Sequence, residues 1–294
     1  MKINNVAIVG GTHGNERTGI FLLKRWETSS EEVTRPSFKT NLFVGNPKAA
    51  TLNQRFVDED LNRCFARSDL VSSNKQTYES LRASYLNHAI GPKDAPKHDF
   101  IIDMHTSTSN CGAMIILVDD RPLNLRMAAY IITKVPEARA FFLKPIGDDS
   151  PYLGSICDHS LAVEIGPVPQ GLLQSNILKL TADVVQHALD FLQSVNDGTA
   201  EMTAGVLDVY QFKEVISFPQ KDGEIAAVVH SSLQNADYQP LHHGDPIFEM
   251  LDGTIVRYEG AETVYPVFIN EAAYYYKNVA MSLCVKQTLT FPDA

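Results

Sequence analysis

Apolar and polar positions follow two different patterns along this chain. Up to about residue 200, short apolar runs are separated by longer segments in which apolar residues recur every three or four positions. Short runs rich in β-branched residues predict buried strands, and the spaced segments predict amphipathic helices. The order strand, helix, strand indicates an α/β domain with a parallel sheet. The predicted strands are residues 6–9, 41–44, the first half of 99–110, 113–118 and 161–165.

Four helices are predicted between and after these strands, because apolar residues recur there at helical spacing. The second, residues 74–90, places Leu81, Tyr85 and Leu86 inward and ends before Gly91-Pro92. The other predicted helices begin at residue 15 or span residues 123–134 and 177–195. The inward residues are Ile20, Leu22, Leu23 and Trp26 in the first helix, and Ile177, Leu180, Val184, Leu189 and Leu192 in the last.

The pattern changes at a polar, glycine-containing stretch, residues 196–205. Helical spacing largely stops there, and short β-like runs divided by turns such as Lys221-Asp222-Gly223 follow. We therefore divide the chain into an α/β domain, residues 1–200, and a compact β-rich domain, residues 201–294. The predicted strands of the second domain are 206–209, 225–230, 247–251, 254–258 and 264–269.

Length, charge and cysteine content narrow the class of protein. The 294 residues suffice for one large domain and a smaller one, and a formal net charge of -10 without a basic tract argues against a nucleic-acid partner. No apolar stretch approaches the length of a membrane span and no signal-peptide core follows Met1, which predicts a cytoplasmic protein without a membrane partner. Four widely spaced cysteines predict neither disulfides nor a cysteine metal site.

Two metal-competent side chains follow the first predicted strand, in the turn Gly10-Gly11-Thr12-His13-Gly14-Asn15-Glu16. An imidazole and a carboxylate are typical zinc ligands, and a catalytic zinc usually has three protein ligands. His105 ends another strand, and ligands of open α/β sheets gather at the carboxyl ends of strands, so His105 is the natural third ligand. Asp103 faces the same side and is expected to accept a hydrogen bond from a ligand imidazole. The alternative is that His13 and Glu16 lie on an ordinary solvated helix face.

The charge-rich segment at residues 55–65 has little periodicity, which predicts an ordered loop. Guanidinium groups bind carboxylates bidentately and polarise carbonyl oxygens. Arg55 and Arg63, with the amide of Asn62 nearby, are therefore candidate substrate-binding residues, and Asp60 is placed to position an arginine. A solvated cluster of mutually paired charges is the alternative.

A single acidic residue, Glu164, interrupts the apolar strand before Gly166-Pro167. A buried carboxylate costs free energy unless it is paired or used in chemistry, so this position indicates a general base. A salt-bridged residue at the edge of the sheet is the alternative. Near the C-terminus, Tyr274-Tyr275-Tyr276-Lys277 concentrates phenols, which usually pack in a core, although one hydroxyl can reach a ligand carboxylate.

Five segments, in order, resemble the aspartoacylase family, which is grouped with the type III aminoacylases, the succinylglutamate desuccinylases and, more distantly, the zinc carboxypeptidases. The resemblance covers nearly the whole chain. It implies a zinc-carboxypeptidase-like domain with a mixed sheet flanked by helices, followed by a β-rich domain that caps the active-site mouth. The segments are Gly10-Gly11-Thr12-His13-Gly14-Asn15-Glu16, Asp60-Leu61-Asn62-Arg63, Asp103-Met104-His105, Val163-Glu164-Ile165-Gly166-Pro167 and Tyr265-Pro266-Val267-Phe268-Ile269-Asn270-Glu271-Ala272-Ala273-Tyr274-Tyr275.

The resemblance also implies a role for each site residue. Glu164 is the implied general base and then acid, and Arg55 the group that polarises the acyl carbonyl. The role of Tyr274 in substrate binding is implied by the resemblance alone, because the sequence pattern does not distinguish Tyr274 from the neighbouring tyrosines. The implied ligands of one zinc ion per chain are His13, Glu16 and His105, and the implied substrate-binding residues are Arg55, Asn62, Arg63, Glu164 and Tyr274.

One position departs from the family pattern. Mammalian aspartoacylases carry an arginine in the loop before the catalytic glutamate, where it helps to bind the aspartyl side-chain carboxylate, and Gly154 stands there in this chain. Losing such a pair typically costs about 2 kcal/mol or more of discrimination, unless Lys144 or Lys277 supplies the charge. The implied reaction is deacetylation of N-acetyl-L-aspartate or a closely related N-acyl amino acid. N-acetyl aromatic or neutral amino acids and N-succinyl amino acids are the alternative substrates.

Two other functions stay open at the level of sequence. A peptidase that trims C-terminal residues would use the same core, although a β-rich domain that narrows the entrance argues against it. A catalytically silent binding protein would keep the fold, although every expected zinc and proton-transfer residue is present. The expected partner is a small N-acyl amino acid, and a homodimer is an open option.

Overall fold

A mixed β-sheet with helices on both faces forms the centre of the protein. The computed structural model describes residues 2–71, 76–143, 149–201 and 203–293. The helices are α1 Arg17–Thr28, α2 Pro47–Leu52, α3 Arg67–Leu70, α4 Tyr78–Ile90, α5 Pro122–Lys134 and α6 Ser175–Asn196. The strands are β1 Asn5–Gly10, β2 Lys39–Val44, β3 Phe100–Thr106, β4 Gly112–Leu117, β5 Ala138–Phe142, β6 His159–Gly166, β7 Gly205–Ser217, β8 Gln220–Lys221, β9 Glu224–Ile225, β10 Ala227–Val229, β11 Pro246–Met250, β12 Ile255–Arg257, β13 Tyr265–Val267 and β14 Val279–Phe291.

In the part of the chain that the structure describes, the central sheet has nine strands in the order β13-β14-β7-β5-β4-β6-β3-β1-β2. Strands β2, β1, β3 and β6 are parallel, β4 is antiparallel to β6, and β5 and β7 continue parallel to β4. Strands β14 and β13 add an antiparallel edge. Two small sheets, β10-β11-β12 and β8-β9, complete the C-terminal part. The predicted α/β class, with a mixed sheet flanked by helices and a β-rich C-terminal part, is confirmed.

Alternation along the strands separates a structural face of the sheet from a functional face. Ile102 and Met104 of β3 join the core that packs against α1, α5 and α6. Asp103 and His105, one position out of phase, therefore face the other side. In the same way Val163 lies in that core and Glu164 points away from it. The polar side chains of Asp103, His105 and Glu164 therefore lie on one face of the sheet, near the ends of parallel strands.

The C-terminal strands are not confined to a separate sheet. Strands β7 and β14 pair along thirteen-residue lengths and join the central sheet through β5. The sequence pattern predicts only the first part of β7 and predicts neither β5 nor β14. Strands β5 and β14 each contain a charged residue, which weakens the apolar pattern of a buried strand. The second half of β14 is also largely exposed and polar.

Helix α4 presents a different face to the core from the one predicted. Leu86 is buried as expected, but the prediction for Leu81 and Tyr85 is wrong, because their side chains are 59% and 56% exposed. Glu79 and Ala83 take the inward positions instead. The reason is tertiary: backbone N–H groups of a neighbouring loop bind the Glu79 carboxylate, and this fixes the rotation of the helix. The predicted start of the helix at residue 74 lies outside the described residues.

The two other helices with a predicted inward face, α1 and α6, agree with that prediction. In α6, four of the five predicted inward residues are buried and Leu180 is half-buried. The inward residues predicted for the first helix are buried in α1. All four cysteines are buried, and none of them forms a disulfide with another described residue. Within the described ranges, no helix combines the length and apolar character needed to cross a membrane.

Candidate active site

His13, Glu16 and His105 converge on the functional face of the sheet. The glycine turn after β1 carries His13, and Glu16 precedes the first residue of α1. His105 comes from β3, next to β1 in the sheet. His13 Nδ1 lies 2.6 Å from Glu16 Oε1, and His105 Nδ1 lies 2.9 Å from Glu16 Oε2. All three side chains are buried, and each offers one ligand atom within 4.8 Å of the others.

A carboxylate holds the far nitrogen of each imidazole. Asp60 Oδ1 lies 2.9 Å from His13 Nε2, and Asp103 Oδ2 lies 2.8 Å from His105 Nε2, the contact expected from strand alternation. Such carboxylates orient the imidazoles of metal sites and increase their basicity. Two imidazole nitrogens and one carboxylate, oriented in this way and buried, form a donor set that fits a divalent cation such as zinc.

The charges of this cluster support one another. Burial would raise the pKa of Glu16, but His13 and His105 hold it well below its usual range. Burial would lower the pKa of His105, but Asp103 and Glu16 raise it well above its ordinary value. For Asp60, the hydrogen bond to His13 and nearby positive charges, Arg55 among them, overcome burial and depress the pKa strongly.

Arg55 connects the cluster to the loop at residues 55–65. Its two terminal nitrogens donate to Glu16 Oε1 at 3.3 Å and to Asp60 Oδ2 at 3.2 Å, and its carbonyl accepts the N–H of Gly14 at 3.1 Å. The Nε atom is buried without a hydrogen-bond partner among the described residues. Burial opposes the charge, but Glu16 and Asp60 raise the pKa of Arg55, so a fixed cation lies beside the three candidate ligands.

Glu164 lies opposite His105 in the register of β3 and β6. No described residue donates a hydrogen bond to its carboxylate, which lines a cavity of about 290 Å³. Burial, and the negative charges of Glu16 and Glu271, raise the pKa of Glu164 to about 8, although His105 and Arg55 oppose the shift. A carboxylate with a pKa near neutrality can both accept and return a proton.

The remaining predicted residues, Asn62, Arg63 and Tyr274, also line this cavity. The guanidinium of Arg63 stacks over the ring of Tyr152 at 4.7 Å, and Asn62 Oδ1 accepts the N–H of Leu153 at 2.9 Å. The cavity therefore brings together all eight side chains predicted to bind the metal or the substrate or to take part in catalysis. Asn62 has a structural contact that the sequence did not predict, because its partner is 91 residues away.

Several cavity residues were missed at the level of sequence. Tyr152 supports Arg63, and Glu271 accepts the N–H groups of Thr108 at 2.8 Å and Ala273 at 2.9 Å, which joins the loop after β3 to the turn that carries Tyr274. Glu271 lies in the segment at residues 265–275 that resembles the family, and no other feature of the sequence pointed to a role for it. The cavity is also lined by Ile116, Val118, Phe141, Leu143, Phe212, Val215, Phe268 and Val279.

Both parts of the chain match domain families of known proteins. The succinylglutamate desuccinylase/aspartoacylase catalytic domain matches residues 2–192, and the AstE/AspA barrel-sandwich hybrid domain matches residues 205–286. The chain belongs to this family. The resemblance stated from the sequence segments is therefore confirmed over nearly the full length.

Relatives within the family carry more than one name. The chain is 42% identical to a probable aspartoacylase of Trichodesmium erythraeum, over 98% of this chain and 99% of the relative. It is 39% identical to an N-acyl-aromatic-L-amino acid amidohydrolase (carboxylate-forming) of Homo sapiens, over 99% and 93%. The crystal structure of murine aminoacylase 3 matches with a TM-score of 0.95 at 36% identity, covering 100% of this chain and 99% of that one. These relatives are hydrolases of N-acyl amino acids.

Proposed function

We propose that this protein is a zinc-dependent amidohydrolase that cleaves the amide of an N-acyl L-amino acid, releasing a carboxylic acid and the free amino acid. One observation carries the proposal. His13, Glu16 and His105 converge on one point, and the cation of Arg55 and the carboxylate of Glu164 line the same cavity. This arrangement supplies a metal-binding group, an oxyanion-binding group and a proton-transfer group for amide hydrolysis.

We propose one zinc ion per chain, held by His13, Glu16 and His105. When bound there, zinc lowers the pKa of water and acts as a Lewis acid on the acyl carbonyl. Glu164 takes the proton of the attacking water and returns it to the nitrogen of the leaving amino acid. Arg55 stabilises the negative charge that develops on the carbonyl oxygen, where a preorganised cation typically contributes several kcal/mol.

Arg63, Asn62 and Tyr274 are proposed to hold the α-carboxylate of the substrate. A planar guanidinium binds a carboxylate through two parallel hydrogen bonds, and stacking on Tyr152 limits the orientations available to Arg63. The Nδ2 atom of Asn62 has no hydrogen-bond partner among the described residues and can donate to the same carboxylate. Burial raises the pKa of Tyr274, so its hydroxyl stays a donor at neutral pH.

Two substrate side chains are candidates. N-acetyl-L-aspartate is the first, supported by the names of several relatives. A specific observation favours the second, an N-acetyl aromatic or neutral amino acid: at Gly154 a β-carbon would stand 2.7 Å from Ser160 Oγ, which leaves no room there for an acid-binding arginine unless Ser160 moves. Lys277 lines the cavity and can supply a positive charge for aspartate, and Lys144 lies outside the described residues.

We also propose that residues 201–294 act as a cap over the catalytic domain, residues 1–200. Support comes from the share of the cavity wall that this part contributes, including Phe212, Phe268 and Tyr274. A narrowed entrance admits a small amide and disfavours a polypeptide. This distinguishes the proposed amidohydrolase from a carboxypeptidase.

The test is a panel of amides on zinc-loaded protein. N-acetylaspartate, N-acetylphenylalanine, an N-succinyl amino acid and a blocked dipeptide are compared by kcat/KM. Hydrolysis of at least one N-acyl amino acid with little action on the dipeptide is expected, and the preferred side chain identifies the substrate class. Cleavage of the dipeptide alone, or of none of the four, contradicts the proposal.

A further inference from the structure

The carboxylate of Glu79, which the proposed mechanism does not use, is completely buried at the first turn of α4. It accepts hydrogen bonds from three successive backbone N–H groups, those of Val57 at 2.7 Å, Asp58 at 2.9 Å and Glu59 at 3.3 Å. Asn46 Nδ2 donates a fourth at 2.9 Å. Successive N–H groups that converge in this way form an anion-binding concavity. An internal carboxylate occupies it here.

The loop and the helix bind each other in both directions. Asp58 Oδ2 accepts the N–H of Tyr78 at 2.7 Å, and Glu59 Oε1 accepts the hydroxyl of Thr77 at 2.5 Å. These acidic side chains satisfy donors at the N-terminus of α4, where helices leave N–H groups without partners. The charges of this segment are therefore used as specific anchors rather than as a solvated cluster.

The anchored residues stand between the groups proposed to act on the substrate. Val57 follows Arg55 by two residues, and Glu59 immediately precedes Asp60. Asn46, held by the same carboxylate, donates its backbone N–H to Gly11 O at 2.8 Å, in the turn that carries His13. Glu79 thus contacts both the loop of Arg55 and the segment packed on the glycine turn.

We propose that Glu79 is a positioning residue, which sets the placement of Arg55 relative to the three candidate metal ligands by anchoring the backbone at residues 57–59. The kinetic part of this inference rests on the proposed function. Burying a carboxylate costs free energy. The four hydrogen bonds from residues 57–59 and Asn46 compensate for this cost, and they form only when the backbone has this conformation. A misplacement of about 1 Å at a catalytic group can reduce the rate about 100-fold.

The first experiment is a double-mutant cycle of Glu79→Gln with Arg55→Ala. The glutamine keeps the volume but replaces one of the two accepting oxygens with an NH₂ group, which cannot accept a hydrogen bond from a backbone N–H. Glu79→Gln is expected to lower kcat/KM about 100-fold through kcat in the wild-type background, and less than about 3-fold when Arg55 is already absent. Equal losses in both backgrounds would assign Glu79 a purely structural role and overturn the proposal.

Asp99 provides a matched control. Its Oδ2 also accepts two successive backbone N–H groups, those of Asn4 at 2.7 Å and Asn5 at 2.9 Å, but at the start of β1, the end of the strand away from the site. Asp99→Asn is expected to leave kcat/KM within about 2-fold. Glu79→Asp, which keeps the charge but shortens the reach, covers the case in which Glu79→Gln does not fold, and an intermediate loss of kcat is expected.

Amide hydrogen exchange at residues 57–59 tests the anchor without any reference to activity. Exchange is expected to accelerate at least 10-fold in Glu79→Gln or Glu79→Asp and to stay unchanged in Asp99→Asn. Unchanged exchange at these amides overturns the proposal. Inactivity of the wild-type protein on every N-acyl amino acid would instead refute the proposed function and leave the exchange result to decide on the anchor.

Discussion

Replacement of Asp60 by asparagine tests the link between the candidate metal cluster and Arg55. Asp60 Oδ1 contacts His13 Nε2 at 2.9 Å and the N–H of Asn62 at 3.0 Å, while Oδ2 accepts from Arg55 at 3.2 Å. In Asp60→Asn the amide has the same shape as the carboxylate. When the amide oxygen keeps the contact with His13, the NH₂ group faces the guanidinium of Arg55. Both groups are then donors, and among the described residues the Arg55 side chain keeps one hydrogen-bond acceptor, Glu16 at 3.3 Å.

The expected loss follows from these contacts. A charge-assisted hydrogen bond contributes roughly 2 kcal/mol, which corresponds to about a 30-fold decrease in kcat/KM when the lost contact positions Arg55. Removal of the negative charge behind His13 is expected to weaken zinc binding about 10- to 100-fold. Both effects have one cause, so they should appear together in the same variant.

Two assays measure these effects in parallel: steady-state hydrolysis of the preferred N-acyl amino acid and zinc affinity by competition with a chelator. The control is Asp190→Asn, which breaks a 2.6 Å ion pair with Arg35 at a half-exposed position and is expected to leave both values unchanged. Asp60→Asn with zinc affinity and kcat/KM both within about 2-fold of the wild type would refute the role assigned to Asp60.

Three further predictions concern separate groups. Arg55→Ala should lower kcat about 100-fold, whereas Arg63→Ala should mainly raise KM, about 10-fold or more, and a preserved kcat in Arg55→Ala would count against the oxyanion assignment. Glu164→Gln should keep its zinc content and lose about 1000-fold in kcat, so near-normal activity would end its role as base. Burial raises the pKa of Asp237 from 3.8 to about 6. The protonated carboxyl therefore stabilises the fold below pH 4, and this stabilisation is lost as the pH rises through 6. Between these pH values the free energy of unfolding of Asp237→Asn should rise by about 2–3 kcal/mol relative to that of the wild type. A difference in unfolding free energy that does not change with pH contradicts this prediction.

The candidate metal cluster was predictable from sequence because few geometric steps separate the residues from the site. A glycine turn after one strand carries His13 and Glu16, and the neighbouring strand ends at His105. Parallel strands bring such ends to one edge of a sheet. Period-two alternation then places Asp103 behind His105, and the contact is present at 2.8 Å.

The features that sequence patterns missed depend on partners distant along the chain. The rotation of α4 is set by Glu79, whose partners are 20 to 33 residues away, so the apolar spacing of Leu81 and Tyr85 gave the wrong face. The structural contact of Asn62 has the same origin. Strand β14 was missed because one of its faces is polar along half its length. Propensity describes a segment in isolation, and tertiary hydrogen bonds overrule it.

Zinc titration of chelator-treated protein tests the central claim most directly. Hydrolysis of the preferred N-acyl amino acid is followed as zinc is added in steps, with His105→Ala as the matched variant. Activity is expected to rise linearly and to saturate at about one zinc per chain, while His105→Ala requires far more zinc to reach any activity. Full activity after complete removal of metal, or tight stoichiometric zinc binding by His105→Ala, would contradict a hydrolase built on His13, Glu16 and His105.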